Sequence, residues 1–189
     1  MSAPRIAMLS EADALKLGHE LGIDDYIAKM HLFRVLLNHP AVAREINSTI
    51  VALVGPGSAL GARLRELIIM RVAWVSGSAY EWTQHWMASL FLGLTEAELI
   101  AVKNWQPAEC FNAADRAVLA AVDDTLMHGG ITASTWAAIK KALPSVEQQI
   151  EVTACIGNWH MAAQIIASLD IPLEDGFSAW PPNGQGPHQ

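Results

Sequence analysis

A chain of 189 residues has length for one domain with a full hydrophobic core and not for two comfortable ones, and its 16% charged residues fall short of the about 25% usual for soluble domains. The formal charge of −7, with no run of Lys or Arg, speaks against nucleic acid as a partner, and no apolar run is long enough to span a membrane. Cys110 and Cys155 make no disulfide framework, and with no apolar signal core behind Met1-Ser2-Ala3-Pro4-Arg5 they place the chain in the cytoplasm; the 52% apolar content favours a homo-oligomer that buries part of its surface.

Nearly every segment repeats its apolar residues with a 3.6-residue period and carries helix punctuation at its ends, which predicts an all-α fold. Ser10 caps a first short helix ending at Gly18 or Gly22, and a second runs from Asp25 to Asn38. Pro40 opens a third, because a first-turn residue needs no amide donor, and Gly55-Pro56-Gly57 stops it. An apolar helix from Gly61 to Val75 leads to Ser76-Gly77-Ser78, and another follows from Ala79 to Leu92. Thr95 and Glu98 form a capping box for a short helix to Lys103; Asn112 caps a helix to His128; Thr132 begins one that reaches Leu143. Ser145 and Gln148 form a second capping box that opens a long apolar helix to about Leu169. The tail beyond Pro172 is too rich in Pro and Gly to be core. The joints Gly93-Leu94-Thr95 and Gly130-Ile131-Thr132 read either as an internal repeat or as the ordinary way to stop one helix and cap the next.

The chemistry concentrates between Leu64 and His85. Glu81 and His85, four apart on one helix, share a face, and Ser78 extends that stripe to the helix start. Tyr80, Trp82, Trp86 and Met87 would wall it, and a carboxylate beside an imidazole in apolar surroundings can be tuned for general acid–base catalysis. The plainer reading is a surface pair, with Glu81 favoured by the helix dipole. Glu66, on the preceding apolar helix, faces the pair if the two helices form a hairpin around Gly77, with Arg71 as its neutralising partner; otherwise it pairs with Arg63 or Arg65 at the surface. His160, within Asn158-Trp159-His160, reads as a hydrogen-bonded core histidine or as a further lining of the same cavity. Glu66, Glu81, His85 and His160 have ligand chemistry for a metal, but the chain lacks a two-histidine helical motif, and no metal is assigned. Trp74, Trp105 and Trp136 read as packing or interface residues.

The run Leu64-Arg65-Glu66-Leu67-Ile68-Ile69-Met70-Arg71-Val72-Ala73, then Tyr80-Glu81-Trp82-Thr83-Gln84-His85, then Gly93-Leu94-Thr95-Glu96-Ala97-Glu98-Leu99 resembles the core of the carboxymuconolactone decarboxylase family. The likeness extends over residues 30–174, leaving 1–29 as an N-terminal helical extension and 175–189 as a Pro/Gly-rich tail. It implies an alkylhydroperoxidase D-like helical bundle that forms a trimer or hexamer. Relatives of the peroxidase type carry a relay glutamate, a Cys-x-x-Cys pair and a histidine; by spacing these fall on Glu66, on Ser78 and Glu81, and on His85. Both thiols are absent, so a disulfide-based peroxidase is the weakest of the implied activities. The decarboxylase branch implies a cofactor-independent lyase or isomerase acting on a small anionic lactone or dienoate. In that reading His85 shuttles the proton, Glu81 is its acid–base partner, Glu66 a second relay and Arg71 the anion anchor, with Ser78, Tyr80, Trp82 and His160 contacting substrate. A non-catalytic oligomeric scaffold is the alternative.

Overall fold

One helix, enclosed by three others, lies at the centre of the chain. In Ala62–Val75 (α5) the residues Leu67, Ile68, Ile69, Met70, Val72 and Ala73 are wholly buried, pointing to all sides, as a helix enclosed by others requires. The computed structural model describes residues 3–187. The first two residues of the expected N-terminal extension and the last two of the expected tail lie outside the described residues.

The order is α1 (Glu11–Leu21), α2 (Asp25–Lys29), α3 (His31–Leu36), α4 (Pro40–Val54), α5, α6 (Ala79–Phe91), α7 (Glu96–Ala101) with a 3-10 turn over Val102–Asn104, α8 (Ala113–His128), α9 (Ala133–Ala142) and α10 (Val146–Ser168). No strand occurs among the described residues, so the fold is all-α. Helix α5 packs against α6, α8 and α10. One side of it joins α8, α9 and α10 around Ile68, Val118, Ile139 and Ile156; another joins α6, α7 and α8 around Leu67, Trp82, Leu99 and Leu119. Helices α1 to α4 make a third apolar cluster around Phe33 and Leu37 that closes over Tyr80 and Ile166.

Most boundaries lie where the caps put them. Gly22, at φ +69°, ends α1, while Gly18 lies inside it, where a Cβ would come within 2.9 Å of Ala28 Cβ; its bare backbone lets α2 pack close. Thr95 with Glu98 and Asn112 with Asp115 form full capping boxes. Ser145 caps α10 through Gln148 N, but the Gln148 side chain donates instead to Ala59 O, so the reciprocal half of that expected box is missing.

Two expectations fail. The single helix over residues 25–38 is broken at Met30, which is extended (φ −59°, ψ 140°), so that α3 turns to carry Leu32 and Phe33 into the core. The tail is also less peripheral than its composition suggested. Trp180, 8% exposed, meets Trp74 edge to face and lies tilted against Trp82, and its backbone N–H donates to Thr83 Oγ1. A tryptophan supplies enough apolar area to pin a segment that has no regular structure of its own. Phe91, 91% exposed, and Met87 remain uncovered along α6.

Candidate active site

Two helices joined by a tight turn bring the polar residues together. Ser78 caps α6 by accepting from Glu81 N, and the α5–α6 hairpin sets Glu66 of α5 against one face of α6. His85 Nδ1 lies 2.8 Å from Glu66 Oε2, and Ser89 Oγ donates to that oxygen at 3.3 Å. The other Glu66 oxygen accepts from Arg65 Nε at 3.3 Å. Glu66 therefore pairs with Arg65, as one of the plain readings had it, but both are buried. Arg63 is committed elsewhere, to Glu98 and Asp115.

The second ring nitrogen of His85 has two neighbours. Trp159 Nε1–H of α10 donates to Nε2 at 3.0 Å, and Glu81 Oε2 lies 3.7 Å from it. Since an indole N–H can only donate, this network assigns the proton of the neutral ring to Nδ1, where it is given to Glu66. The two carboxylates thus address opposite sides of one imidazole and cannot converge on one metal ion with it.

Electrostatics separate the two glutamates. Burial would raise the pKa of Glu66, but the charges and hydrogen bonds of His85 and Arg65 outweigh it and hold the carboxyl below its ordinary value. Glu81 is 5% exposed, and burial pushes its pKa up to about 7, against the pull of His85 and with the help of the Glu174 charge. Burial pulls His85 down, yet the Glu66 and Glu81 carboxylates prevail and its pKa is raised.

Glu81 and His85 open onto a cavity of about 210 Å³. Its other walls come from α2 to α4 (Met30, Phe33, Ile50) and from α10 (Asn158, Trp159, Ala162), and no Lys or Arg is among its lining residues. A smaller recess adjoins it, sharing Tyr26, Met30 and Gln84 and adding Lys29, Glu174 and Phe177. Glu174, from the tail, accepts from His31 N and from the side chains of Tyr80 and Gln84, so the tail fixes two residues of the cavity wall. Burial, then the Glu174 charge, pushes the Tyr80 hydroxyl well above its usual pKa.

Of the residues expected at the site, Glu66, Glu81 and His85 meet, with Tyr80 on the wall. The others need correction. Arg71 donates to Asp123 Oδ1 at 2.6 Å and to the Val102 and Lys103 carbonyls, tying α5 to α8 and the 3-10 turn, and it is not among the residues that line the cavity. Trp82 is wholly buried in the Trp74–Trp86–Trp180 cluster and gives its N–H to Pro181 O. Ser78 is spent as a cap and borders a separate hollow with Ile166 and Pro172. His160 is exposed, with Nδ1 3.4 Å from Ser76 Oγ, so it neither lines the cavity nor joins a metal set. Met87 points outward. The sequence reading passed over Trp159, Asn158, Gln84 and Glu174. Cys155 is buried in the core, its thiol pushed far up by burial, and Cys110 is exposed.

The comparisons agree with this geometry at the level of fold and family. Residues 40–124 match the model of the carboxymuconolactone decarboxylase family, a stretch that includes Glu66, Glu81 and His85 but stops before α10 and the tail. No curated protein matches the chain. Among solved structures, an uncharacterized peroxidase-related protein with an alkylhydroperoxidase AhpD core from Ralstonia eutropha JMP134 superposes with a TM-score of 0.74 at 14% identity, covering 93% of this chain and 94% of that one. A peroxidase-related protein from Silicibacter sp. TM1040 gives 0.70 at 12% identity, covering 94% and 92%. The debrominase Bmp8 in complex with 2,3,4-tribromopyrrole gives 0.69 at 18% identity, covering 89% and 90%. Identities this low speak for a shared fold, and over residues 40–124 the chain is similar to the carboxymuconolactone decarboxylase family; it carries no Cys-x-x-Cys pair.

Proposed function

We propose that the protein is a cofactor-independent lyase or isomerase that moves a proton on a small unsaturated organic acid or lactone, with Glu81 as the acid–base group. The observation that carries this reading is the Glu81 carboxyl itself: buried, facing a cavity, 3.7 Å from His85 Nε2, and raised to a pKa of about 7. A group poised near neutral pH can both give and take a proton, which is what general acid–base catalysis asks. In a decarboxylation, loss of carbon dioxide leaves an electron pair on carbon, Glu81 supplies the proton to that carbon, and water restores the acid. In an isomerisation Glu81 removes a proton from one carbon and returns it to another. His85, held by Glu66 through Nδ1, steadies the Glu81 carboxylate formed in either case by its charge when the ring is protonated.

The carboxylated lactones and dienoates suggested by the family remain the first compounds to test, with one amendment. With Arg71 committed to Asp123 and no cation on the cavity wall, a substrate carboxylate has Lys29, at the adjoining recess, as its cationic partner. The test is carbon dioxide release or double-bond migration from such compounds, followed across pH in the wild type, Glu81→Gln and His85→Ala. Loss of proton transfer should cost about 10²–10⁴-fold in turnover for Glu81→Gln. Equal rates in a natively folded Glu81→Gln protein would remove the acid–base assignment and leave a scaffold role.

A further inference from the structure

The wall of the cavity carries an amide with nothing in the protein to hold. Asn158, on α10, is 6% exposed and lines the cavity, and among the described residues its side chain forms no hydrogen bond. Its Oδ1 is sealed inside the wall, so the end that opens on the cavity is Nδ2, which can only donate. The other donors nearby are turned elsewhere. The Trp159 N–H is given to His85, and the Gln84 amide and the Tyr80 hydroxyl to Glu174, while Tyr26, 66% exposed, stands at the surface. The rest of the wall is apolar, with Phe33, Ile50 and Ala162, and holds no Lys or Arg. A neutral donor in such surroundings suits a neutral acceptor, because a carboxylate brought there would give up its hydration for one uncharged hydrogen bond.

Resting on the acid–base reading of Glu81, we infer that Asn158 Nδ2 binds the carbonyl oxygen of the substrate, and that the substrate is a single-ring unsaturated lactone or ketone whose carbonyl, not a carboxylate, enters the cavity. Size narrows the class. About 210 Å³ is below the ~300–1,000 Å³ of clefts that take drug-sized ligands, which leaves room for one ring with small substituents. Where the compound also carries a carboxylate, that group stays at the recess beside Lys29. The same N–H then takes part in the chemistry. As the Glu81 carboxylate takes the proton from the carbon beside the carbonyl, the C–H electron pair forms a C=C bond and the C=O π pair moves onto oxygen. An enolate oxygen thus develops against Nδ2–H. Protonated Glu81 returns the proton to the far carbon of the conjugated system, the carbonyl reforms, and no oxidant or second reactant is needed. A donor placed where the oxygen gains charge lowers the barrier to that step.

The probes are cyclohexanone and methylenecyclohexane, one ring with and without the oxygen. Each is titrated against the whole chain at about pH 8.5, where Glu81, with its pKa of about 7, has lost its proton and cannot donate. Asn158→Leu should weaken cyclohexanone about tenfold, the worth of one buried hydrogen bond, and leave methylenecyclohexane within about twofold. Asn158→Ala serves if the leucine variant does not fold. In the wild type the infrared C=O stretch of bound cyclohexanone should lie below its position in an alkane, and in the variant it should return there. Deuterium uptake from D2O at the carbons beside the carbonyl reports the enolate. At saturating ketone, Asn158→Leu should slow it about 10²-fold, and Glu81→Gln should abolish it while keeping the affinity and the stretch. The inference is overturned if the wild type binds neither probe, if the Asn158 variants weaken both probes alike, or if they leave the stretch unmoved. Uptake as fast in Asn158→Leu as in the wild type would overturn the enolate role. If affinity and stretch behave as expected and the wild type takes up no deuterium, the acid–base reading of Glu81 fails and the carbonyl site stands.

Discussion

Helix α5 carries Glu66, which is buried, and Arg71, which is partly buried, five residues apart, and they behave in opposite ways. Around Arg71 the partners are protein groups: Asp123 Oδ1 at 2.6 Å, the Val102 and Lys103 carbonyls, and Trp105 Nε1–H on the second oxygen of Asp123. No cavity adjoining Glu81 touches this cluster. Around Glu66 the network is met only as far as His85. Beyond it lie a carboxyl pushed to about 7, an amide without a partner, and a cavity. Buried charge alone therefore does not mark a site. What marks it is a network that stops short at a space, because the missing partners are the ones a ligand would bring.

The largest effect that tests this contrast is structural. Arg71→Met leaves the partly buried Asp123 without its cation, which should cost about 2–3 kcal/mol, while the double variant Arg71→Met with Asp123→Leu should recover most of it. Urea unfolding measures both. A double variant as unstable as the single one would mean that the carbonyl contacts, and not the ion pair, hold α5 to the 3-10 turn. If the contrast is right, the double variant also keeps the Glu81 pKa near 7, since Arg71 is not among the groups that set it.

The next effect belongs to Glu81 and carries a sign. Its pKa is raised in the fold from an ordinary 4.5 to about 7. The stability that goes with the neutral carboxyl is fully present below pH 4.5 and is lost as pH rises through about 7. Glu81→Gln stays neutral throughout and loses nothing. It should match the wild type near pH 4 and exceed it at pH 8 by about 1–3 kcal/mol. A difference independent of pH would show that Glu81 ionises as an ordinary surface carboxylate, and the site would then resemble the Arg71 cluster after all.

Much of this architecture was legible from punctuation. Gly22, Gly55, Thr95, Asn112 and Thr132 act at the ends of helices for reasons local to a few residues. Glu66, Glu81 and His85 could be placed together because a single hairpin relates them. Where a side chain depends on a distant segment, the sequence was silent. The partner of Arg71 is Asp123 on α8, and Trp82 is claimed by Trp180 and Pro181 of the tail. Glu174 is held by residues as far off as His31. One miss was avoidable. On α10 the buried positions Val152, Cys155, Ile156, Trp159, Ala162, Ala163 and Ile166 recur every three or four residues; that phase takes in Trp159 with its neighbour Asn158, and leaves His160 outside. Chemical type drew the eye to the histidine, where periodicity favoured the residues before it.

The smallest effect is the most diagnostic, because it asks which way the relay is wired. Trp159 donates to His85 Nε2, and a protonated Nε2 would set two donors against each other. Binding a proton at that nitrogen therefore requires the indole hydrogen bond to be given up, even though the Glu66 and Glu81 carboxylates favour the imidazolium. Trp159→Phe removes the competitor and keeps a ring in place. The His85 pKa, already raised, should climb by up to about one unit more, the worth of a hydrogen bond of about 1 kcal/mol. NMR of the imidazole resonances reports this independently of any loss of packing. An unchanged or lowered His85 pKa would mean that Trp159 does not hold the neutral tautomer, and that His85 passes its proton to Glu81 at no cost. A rise would show that α10, outside the family-matched segment, opposes protonation of the histidine and so shifts the shared proton toward Glu81, next to the cavity where a substrate would take it.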